Sequence, residues 1–470
     1  MIRITKNELL SVSLAIVIII VAPSCSVVTM SERDELLHVL TDQYAESADY
    51  ENTDEIYWNE SFTSQELSKD IMTLLSQNHD LEAAQARVKQ AAAVYGTSKA
   101  ELLPQVNING SIDQTRNSSN TLNGSDKTVQ KISFGGALSW EPDIWGRLQA
   151  RKKAASLLLD EKQALSDQLS LNLQTLLVET WLNYQAARSL ELVLHRQIRT
   201  NQQILKLIEL RFTHGDGNYL DVLQQKSNLI SLERALPGTL SAQRSTVNSY
   251  ATLLGLYPGE QPIAGYIIPE LQPLAAITSP RQLMANRPDL QAAFFALRAA
   301  DHELAAAIRD RLPRLSIGLS YSESGTNLAR IGDQTVFNFA TGLLVPLIDA
   351  GRLQSKIDLQ KAYAAERVAI FEQALINAIR DVENSLIQEK TLYEEYRLLK
   401  KELAAANATV REAELQYLNG QQTFLPVLLA RAKFQTLQKT KILLKRDILI
   451  NRGHLLKALG AKWSNDFEVT

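Results

Sequence analysis

Between Gly146 and about Phe212, and again between Gly351 and about Leu418, the chain contains no proline and no internal glycine. In the first stretch Leu169, Leu173, Leu176, Thr180, Tyr184 and Ala187 stand three and four residues apart, the spacing of one helical face. About 65 residues of uninterrupted helix extend ~100 Å. No compact domain holds such a rod, so the apolar steps predict coiled-coil-like seams. Composition agrees: 20 Gly and 13 Pro in 470 residues, with 6% aromatics, favour long helices over turn-rich β folds. Each rod ends at a polar turn, Thr213 to Asn218 and Asn419 to Gln422, where Gly215 and Gly420 can supply a left-handed cap. A returning helix is expected over about 220–254 and 424–459.

The rods recur because the chain is written twice. Asp80-Leu81-Glu82-Ala83-Ala84 returns 209 residues on as Asp289-Leu290-Gln291-Ala292-Ala293, and Leu103-Pro104 as Leu312-Pro313. Further on the offset is 205: Gly146-Arg147-Leu148-Gln149 matches Gly351-Arg352-Leu353-Gln354, and Val222-Leu223 matches Val427-Leu428. The difference falls between Ile108 and Gly146, where a loop can absorb it. Each half opens with a helical stretch, about 65–102 and 280–311, stopped by Pro104 or Pro313.

A period of two follows each proline. Val106, Ile108 and Ile112 interleave with Asn107, Asn109, Ser111 and Asp113; beyond a polar stretch, Ile132, Phe134, Leu138 and Trp140 interleave with Lys131, Ser133 and Ser139. In the second half Leu315, Ile317, Leu319 and Tyr321 alternate with Ser316, Gly318, Ser320 and Ser322, and Phe337, Phe339 and Leu343 follow. Each strand therefore has one apolar and one polar face. These are either two hairpins packed on a soluble core or membrane strands, apolar toward lipid and polar toward a lumen. Four strands cannot close a barrel, since even ~8 leave only a filled interior, and open edges are forbidden in lipid. Membrane strands would demand an oligomer.

The N-terminus reads as an export signal. Arg3 and Lys6 precede the apolar run Leu9 to Ala22, whose fourteen residues make ~21 Å of helix, too short for a ~30 Å bilayer core. Ala22-Pro23-Ser24-Cys25 resembles a bacterial lipobox, which makes Cys25 the lipidated new N-terminus; Pro23 is an unusual occupant. The alternative is a signal cut nearby with Cys25 incidental. The expected organisation is a signal peptide over 1–24, a lipidated extension over 25–64, a first repeat over 65–275 and a second over 276–463. Within them lie β-hairpins at 105–140 and 314–345 and helical hairpins at 146–255 and 351–459. A tail covers 464–470.

Several function classes are excluded. A net charge of -3 and a pI near 6.2 do not suit a nucleic-acid binder. One cysteine excludes a disulfide framework and a multi-Cys zinc site. The six histidines never fall at i,i+4, and with three methionines beyond the initiator a methionine-lined metal path has no support. No phosphate loop or serine elbow is present, so no enzyme, cofactor or metal site is expected. Asp143 and Arg147 are expected to cap a helix start, with Gly146 making room for the bend. Asp310-Arg311 and Glu394-Glu395 are expected on solvated helix faces. Trp140 and Trp145 fit either a bilayer-boundary belt or junction packing.

Longer strings carry a family resemblance. Leu138-Ser139-Trp140-Glu141-Pro142-Asp143-Ile144-Trp145-Gly146-Arg147 resembles the strand-to-helix junction of TolC-family outer-membrane factors, in the lipid-anchored branch serving RND efflux pumps. Arg287-Pro288-Asp289-Leu290-Gln291-Ala292-Ala293 resembles that branch's second-repeat start, with Phe294 where a glutamate is usual. Val345-Pro346-Leu347-Ile348-Asp349-Ala350-Gly351-Arg352 matches the second junction, and Lys457 to Trp463 the C-terminal ending. The resemblance spans Trp58 to Trp463.

It implies a mainly α, internally duplicated fold with a small β part, assembled as a homotrimer. Twelve pooled strands would form the outer-membrane barrel, and the long helices an α-barrel tunnel. The implied activity is passive conduction in a tripartite pump, fed through a periplasmic adaptor by an inner-membrane RND transporter. The rivals are the duct of type I protein secretion and a non-conducting periplasmic scaffold. Gly215 and Gly420 would be periplasmic tip turns, Leu220 and Leu425 constriction residues, and Asp221 and Tyr417 members of an inter-helix gate. This chain departs from the family at Gln422, where the gate arginine would be, and at Pro426 and Leu429, where aspartates would be. Closure is therefore expected to rest on Leu425 and Leu429 more than on charge, the alternative being that both leucines pack between helices.

Overall fold

The computed structural model describes residues 43–463 apart from 48–49, 54–55, 59–60, 63, 118–126, 260–262, 264–267, 272–273 and 275. The expected signal peptide, Cys25 and the tail 464–470 lie outside the described residues.

The expected first helical stretch is two helices, α1 (Gln65–Gln77) and α2 (His79–Ala100). They part at Asn78, whose side chain accepts from the backbone N–H groups of Asp80 and Leu81 at 2.9 and 3.2 Å and so starts a new helix. Its repeat counterpart is broken too: α5 (Leu283–Asn286) is separated from α6 (Pro288–Arg309) because Pro288 holds Arg287 in extended backbone. The rods are α3 (Arg147–Thr213) and α7 (Arg352–Leu418), 67 residues each, and the returning helices are α4 (Tyr219–Leu253) and α8 (Phe424–Ala458), 35 each. With α2 and α6 both of 22 residues, the two halves match element by element.

Between β1 (Glu51–Asn52) and its parallel partner β4 (Ala276–Ile277) there is only a two-residue pairing. The other sheet joins β2 (Gln105–Asn117), β3 (Lys127–Trp140), β5 (Arg314–Gly325) and β6 (Gln334–Leu344) in that order, all antiparallel. β2 and β6 are its edges.

The main core is a belt around the middle of the rods. Trp58 and Phe62 from the N-terminal segment, Leu67, Ile71 and Leu74 of α1, Trp181 and Leu182 of α3, and Leu386 of α7 are buried together. Trp58 stacks on Phe62 and Trp463 at centroid distances of 5.8 and 6.3 Å, and its indole N–H donates to the Ala461 carbonyl at 3.2 Å. Both ends of the described chain are thereby tied to the rods. Beside this belt, Arg452 of α8 forms a buried ion pair with Glu389 of α7, and Asn451 donates to the same carboxylate at 2.9 Å.

The duplication governs even the belt's close approaches. Gly255 and Gly460 end the returning helices with φ of +77° and +71°. A Cβ on Gly255 would lie 2.5 Å from the Gln77 carbonyl oxygen, and one on Gly460 2.5 Å from that of Asn286. Gly460→Val meets both the left-handed backbone and the clash, so it is expected to cost about 1–3 kcal/mol, seen as a lower midpoint in thermal unfolding of the detergent-solubilised protein.

Candidate functional site: the conduit wall, its junction and its tip

The ladder register decides which residues share a face. Val106, Ile108 and Ile112 pair with Leu138, Gly136 and Ile132; Leu138 and Gly136 pair onward with Leu319 and Tyr321, and these with Phe339 and Phe337. Across these rungs one face of the sheet is apolar from edge to edge. The opposite face carries Asn107, Asn109, Ser111 and Asp113, then Ser133 and Ser139, then the even-numbered serines of β5. Among the described residues nothing covers the apolar face at its edges: Ile108 is 74% exposed, Phe337 66% and Phe339 62%. The soluble-core reading of the hairpins fails on this point. Among the described residues no helix is long and apolar enough to cross a membrane.

At the strand–helix junction Gly146 and Gly351 have φ of +72° and +85° and turn the chain into α3 and α7. Asp143 accepts from the Gln149 N–H at 2.7 Å and Asp349 from the Leu353 N–H at 2.8 Å, satisfying donors that a helix start leaves free. The tryptophans pin the facing corners: Trp140 donates to the Leu102 carbonyl at 3.1 Å, and Trp145 to that of Pro313 at 2.8 Å. Arg147 turns away from Asp143. It is buried, 2.7 Å from Glu141 and 3.7 Å from Asp310. Arg352, its repeat counterpart, is exposed.

Asp310 corrects a sequence expectation. Arg311 is exposed as expected, whereas Asp310 is only 2% exposed and gathers four cations. Besides Arg147 these are Lys356 at 2.5 Å, Arg314 at 2.9 Å and Arg151 at 3.3 Å. It ties α6 to α3, α7 and the start of β5. Burial alone would raise its pKa, but the Lys356 hydrogen bond and the charges of Arg151 and Arg314 reverse this and hold it below the ordinary carboxylate range. Local sequence offered no sign of it, although Arg151 and Lys356 stand at equivalent repeat positions. Glu394 does lie on a solvated face, paired with Arg397 three residues on.

At the far end, Gly215 and Gly420 have φ of +85° and +71°. The Asp216 and Gln421 N–H groups each close back on the carbonyl five residues earlier, Arg211 and Gln416, at 2.9 Å. Gln422, at the gate-arginine position, donates to the Ala413 carbonyl at 2.8 Å. Tyr417 is buried with its ring edge-on to Phe424 at 5.4 Å, and the Arg211 guanidinium sits 4.7 Å over its face. Burial raises the Asp221 carboxyl above its ordinary range, and Arg211 opposes that shift. The tip therefore couples Asp221, Tyr417 and Arg211, the last unseen in the sequence. Leu220, Leu425 and Leu429 are 54%, 45% and 61% exposed, so neither Leu425 nor Leu429 packs between helices of its own chain.

The family model for outer membrane efflux proteins matches residues 71–256 and again 279–461. The chain belongs to the outer membrane efflux protein family. It resembles the pyoverdine export outer membrane protein OpmQ of Pseudomonas putida, 28% identical over 416 residues that cover 87% of this chain and 88% of that one. Against the cation efflux system protein CusC of Escherichia coli it is 25% identical over 411 residues, 86% and 88% of the two chains. Its fold matches the solved outer-membrane channel OprN with a TM-score of 0.84 at 22% identity, covering 90% of this chain and 97% of that one. The protein is thus an outer-membrane efflux channel, and the family is one of ducts rather than enzymes. Neither the secretion duct nor the non-conducting scaffold is favoured.

Asp310→Asn leaves its cations without a counter-charge; because three of them are partly in water, the expected loss is about 1–3 kcal/mol. The folded pKa is depressed below the unfolded value of ~3.9, so the carboxylate's contribution is complete at neutral pH and disappears as pH falls through the folded value. Thermal unfolding between pH 7 and pH 3 should show a steeper acid loss in the parent than in Asp310→Asn.

Proposed function

We propose that three copies of this chain pool their sheets into one twelve-stranded outer-membrane barrel and their long helices into a tunnel that conducts small molecules passively outward. The open edges β2 and β6, beside an uncovered apolar face, carry this reading. Two copies would supply eight strands, a number whose interior side chains fill; three leave a lumen. The polar face of serines and asparagines would then line water, and lipid would cover the apolar one. The OpmQ and CusC relatives are named for different cargoes, pyoverdine and cations, which suits a wall selecting weakly.

Cys25 would be the lipid anchor on the same membrane. The turns at Gly215 and Gly420 would lie at the periplasmic end, meeting an adaptor that links the channel to an RND-type inner-membrane transporter. Energy would come from that transporter; this chain contributes gating and sieving. Closure would rest on rings of Leu425 and Leu429, one turn apart on α8 and turned out from their own chain. Apolar rings shut a pore by packing and dewetting. Asp221 would be the one acidic gate group retained, since its repeat counterpart is Pro426.

The purified protein in a planar bilayer is expected to conduct ions, and Leu425→Ala with Leu429→Ala to raise conductance or open time. Unchanged currents would remove the leucines from the gate, and no current at all would overturn the channel reading. Cys25→Ser is expected to abolish incorporation of labelled palmitate while leaving the barrel's fold intact by circular dichroism.

A further inference from the structure

The polar face of the sheet ends in charge. Its rungs from Ser111↔Ser133 down to Gln105↔Ser139, followed across β5 and β6, carry no ionisable side chain. Below them Arg314 opens β5 on the same face, two residues before Ser316. A cavity of about 740 Å³ lies there, walled by residues of all four long strands and by Arg147 and Arg151 of α3. Gly318, Ala340 and Gly342 leave it room. A Cβ on Gly342 would come within 2.8 Å of the Ser316 Oγ, so both residues face the same space.

Asp310 lies behind these arginines with its side chain 1% exposed, while three of the cations it holds reach water. The side chains of Arg151, Arg314 and Lys356 are 33%, 38% and 39% exposed. One buried carboxylate cannot neutralise three hydrated heads. Arg147, the fourth cation, is taken up by Glu141 at 2.7 Å. Of the other acids, Glu101 is exposed on the cavity wall. Glu303 of α6 feels Arg151 and Lys356 but is partly buried, and that burial drives its carboxyl above the ordinary range. The cavity therefore presents positive charge to its water, between low-dielectric walls that concentrate the field.

We propose that this cavity is a weak binding station for small organic oxyanions, carboxylates above all, held by Arg151 and Arg314 with Lys356 adding charge. This rests on the conduit proposed above and gives its wall a point of charge-based selection where tunnel meets barrel. A guanidinium suits the task because it presents five N–H donors in a plane, so one edge can keep Asp310 while another faces a solute. A carboxylate there meets charge-assisted donors that the uncharged rungs beyond do not offer, so moving outward releases it.

Thiol labelling of the purified full-length protein in detergent tests the station. Ala340→Cys puts a thiol on the cavity wall. Ser322→Cys puts one on the same face four residues along the ladder, ~13 Å away and beyond the ~10 Å screening length of 0.1 M salt. The parent, with Cys25 alone, gives the background. At about 0.1 M salt, the rate of an anionic methanethiosulfonate over that of a cationic one is expected to be about 10-fold higher at Ala340→Cys than at Ser322→Cys. The excess should shrink at about 1 M salt and fall when Arg314→Gln or Lys356→Gln is added. Each of these leaves Asp310 three of its four cations, and the comparison of positions needs neither. Citrate at constant ionic strength should protect Ala340→Cys and spare Ser322→Cys. Equal ratios at the two positions, a ratio unmoved in both charge variants, or no protection by citrate overturns the station. A folded protein in which neither thiol reacts with either reagent overturns the water-lined conduit itself.

Discussion

The whole architecture answers to one constraint: backbone groups in hydrocarbon must be hydrogen-bonded, and the described residues supply four long strands. β3 and β5 are paired on both sides, β2 and β6 on one. Each unpaired polar group left in lipid costs several kcal/mol, and each edge strand is more than ten residues long. An apolar face aligned across all four strands gives the sheet no soluble refuge. The proposed assembly answers this by letting other copies of the same chain supply the missing edge partners.

The helical part solves a different problem. A rod of 67 residues has no globular core to enter, so its stability comes from neighbours along its length. The belt at mid-rod supplies the largest of these, by folding the N-terminal segment, α1 and the C-terminal end against α3 and α7. Small clusters continue the seam toward the tip, where Ile208, Val222, Tyr417 and Phe424 pack together. The junction supplies a rigid corner: indole N–H groups, two capping aspartates and the Asp310 hub leave little freedom between strand and rod. The far end, with its exposed leucines and the Arg211–Tyr417 stack, has no comparable hub of buried charge among the described residues.

Much of this was legible in the chain itself. Periods of 3.6 and 2, glycine after each rod and the two offsets located the rods, the strands and the tip turns, because those features follow from local geometry and a long repeat averages out local accidents. Asn78 and Arg287 broke helices that had read as continuous, since a side-chain cap and a proline at a first helical position act over only a few residues. The sequence also determined that the strands have two unlike faces and that four of them are too few to close.

What only the tertiary structure decided is where separate segments meet. Asp310 looked like a solvated charge because nothing near it in sequence reveals that Arg147, Arg151 and Lys356 converge on it from two other helices. Arg147 joins Glu141 and Asp310 across the junction, and Arg211 stacks on a tyrosine some two hundred residues away. Burial of a charge depends on which distant surfaces close over it, and that is a property of packing in three dimensions rather than of spacing along a chain.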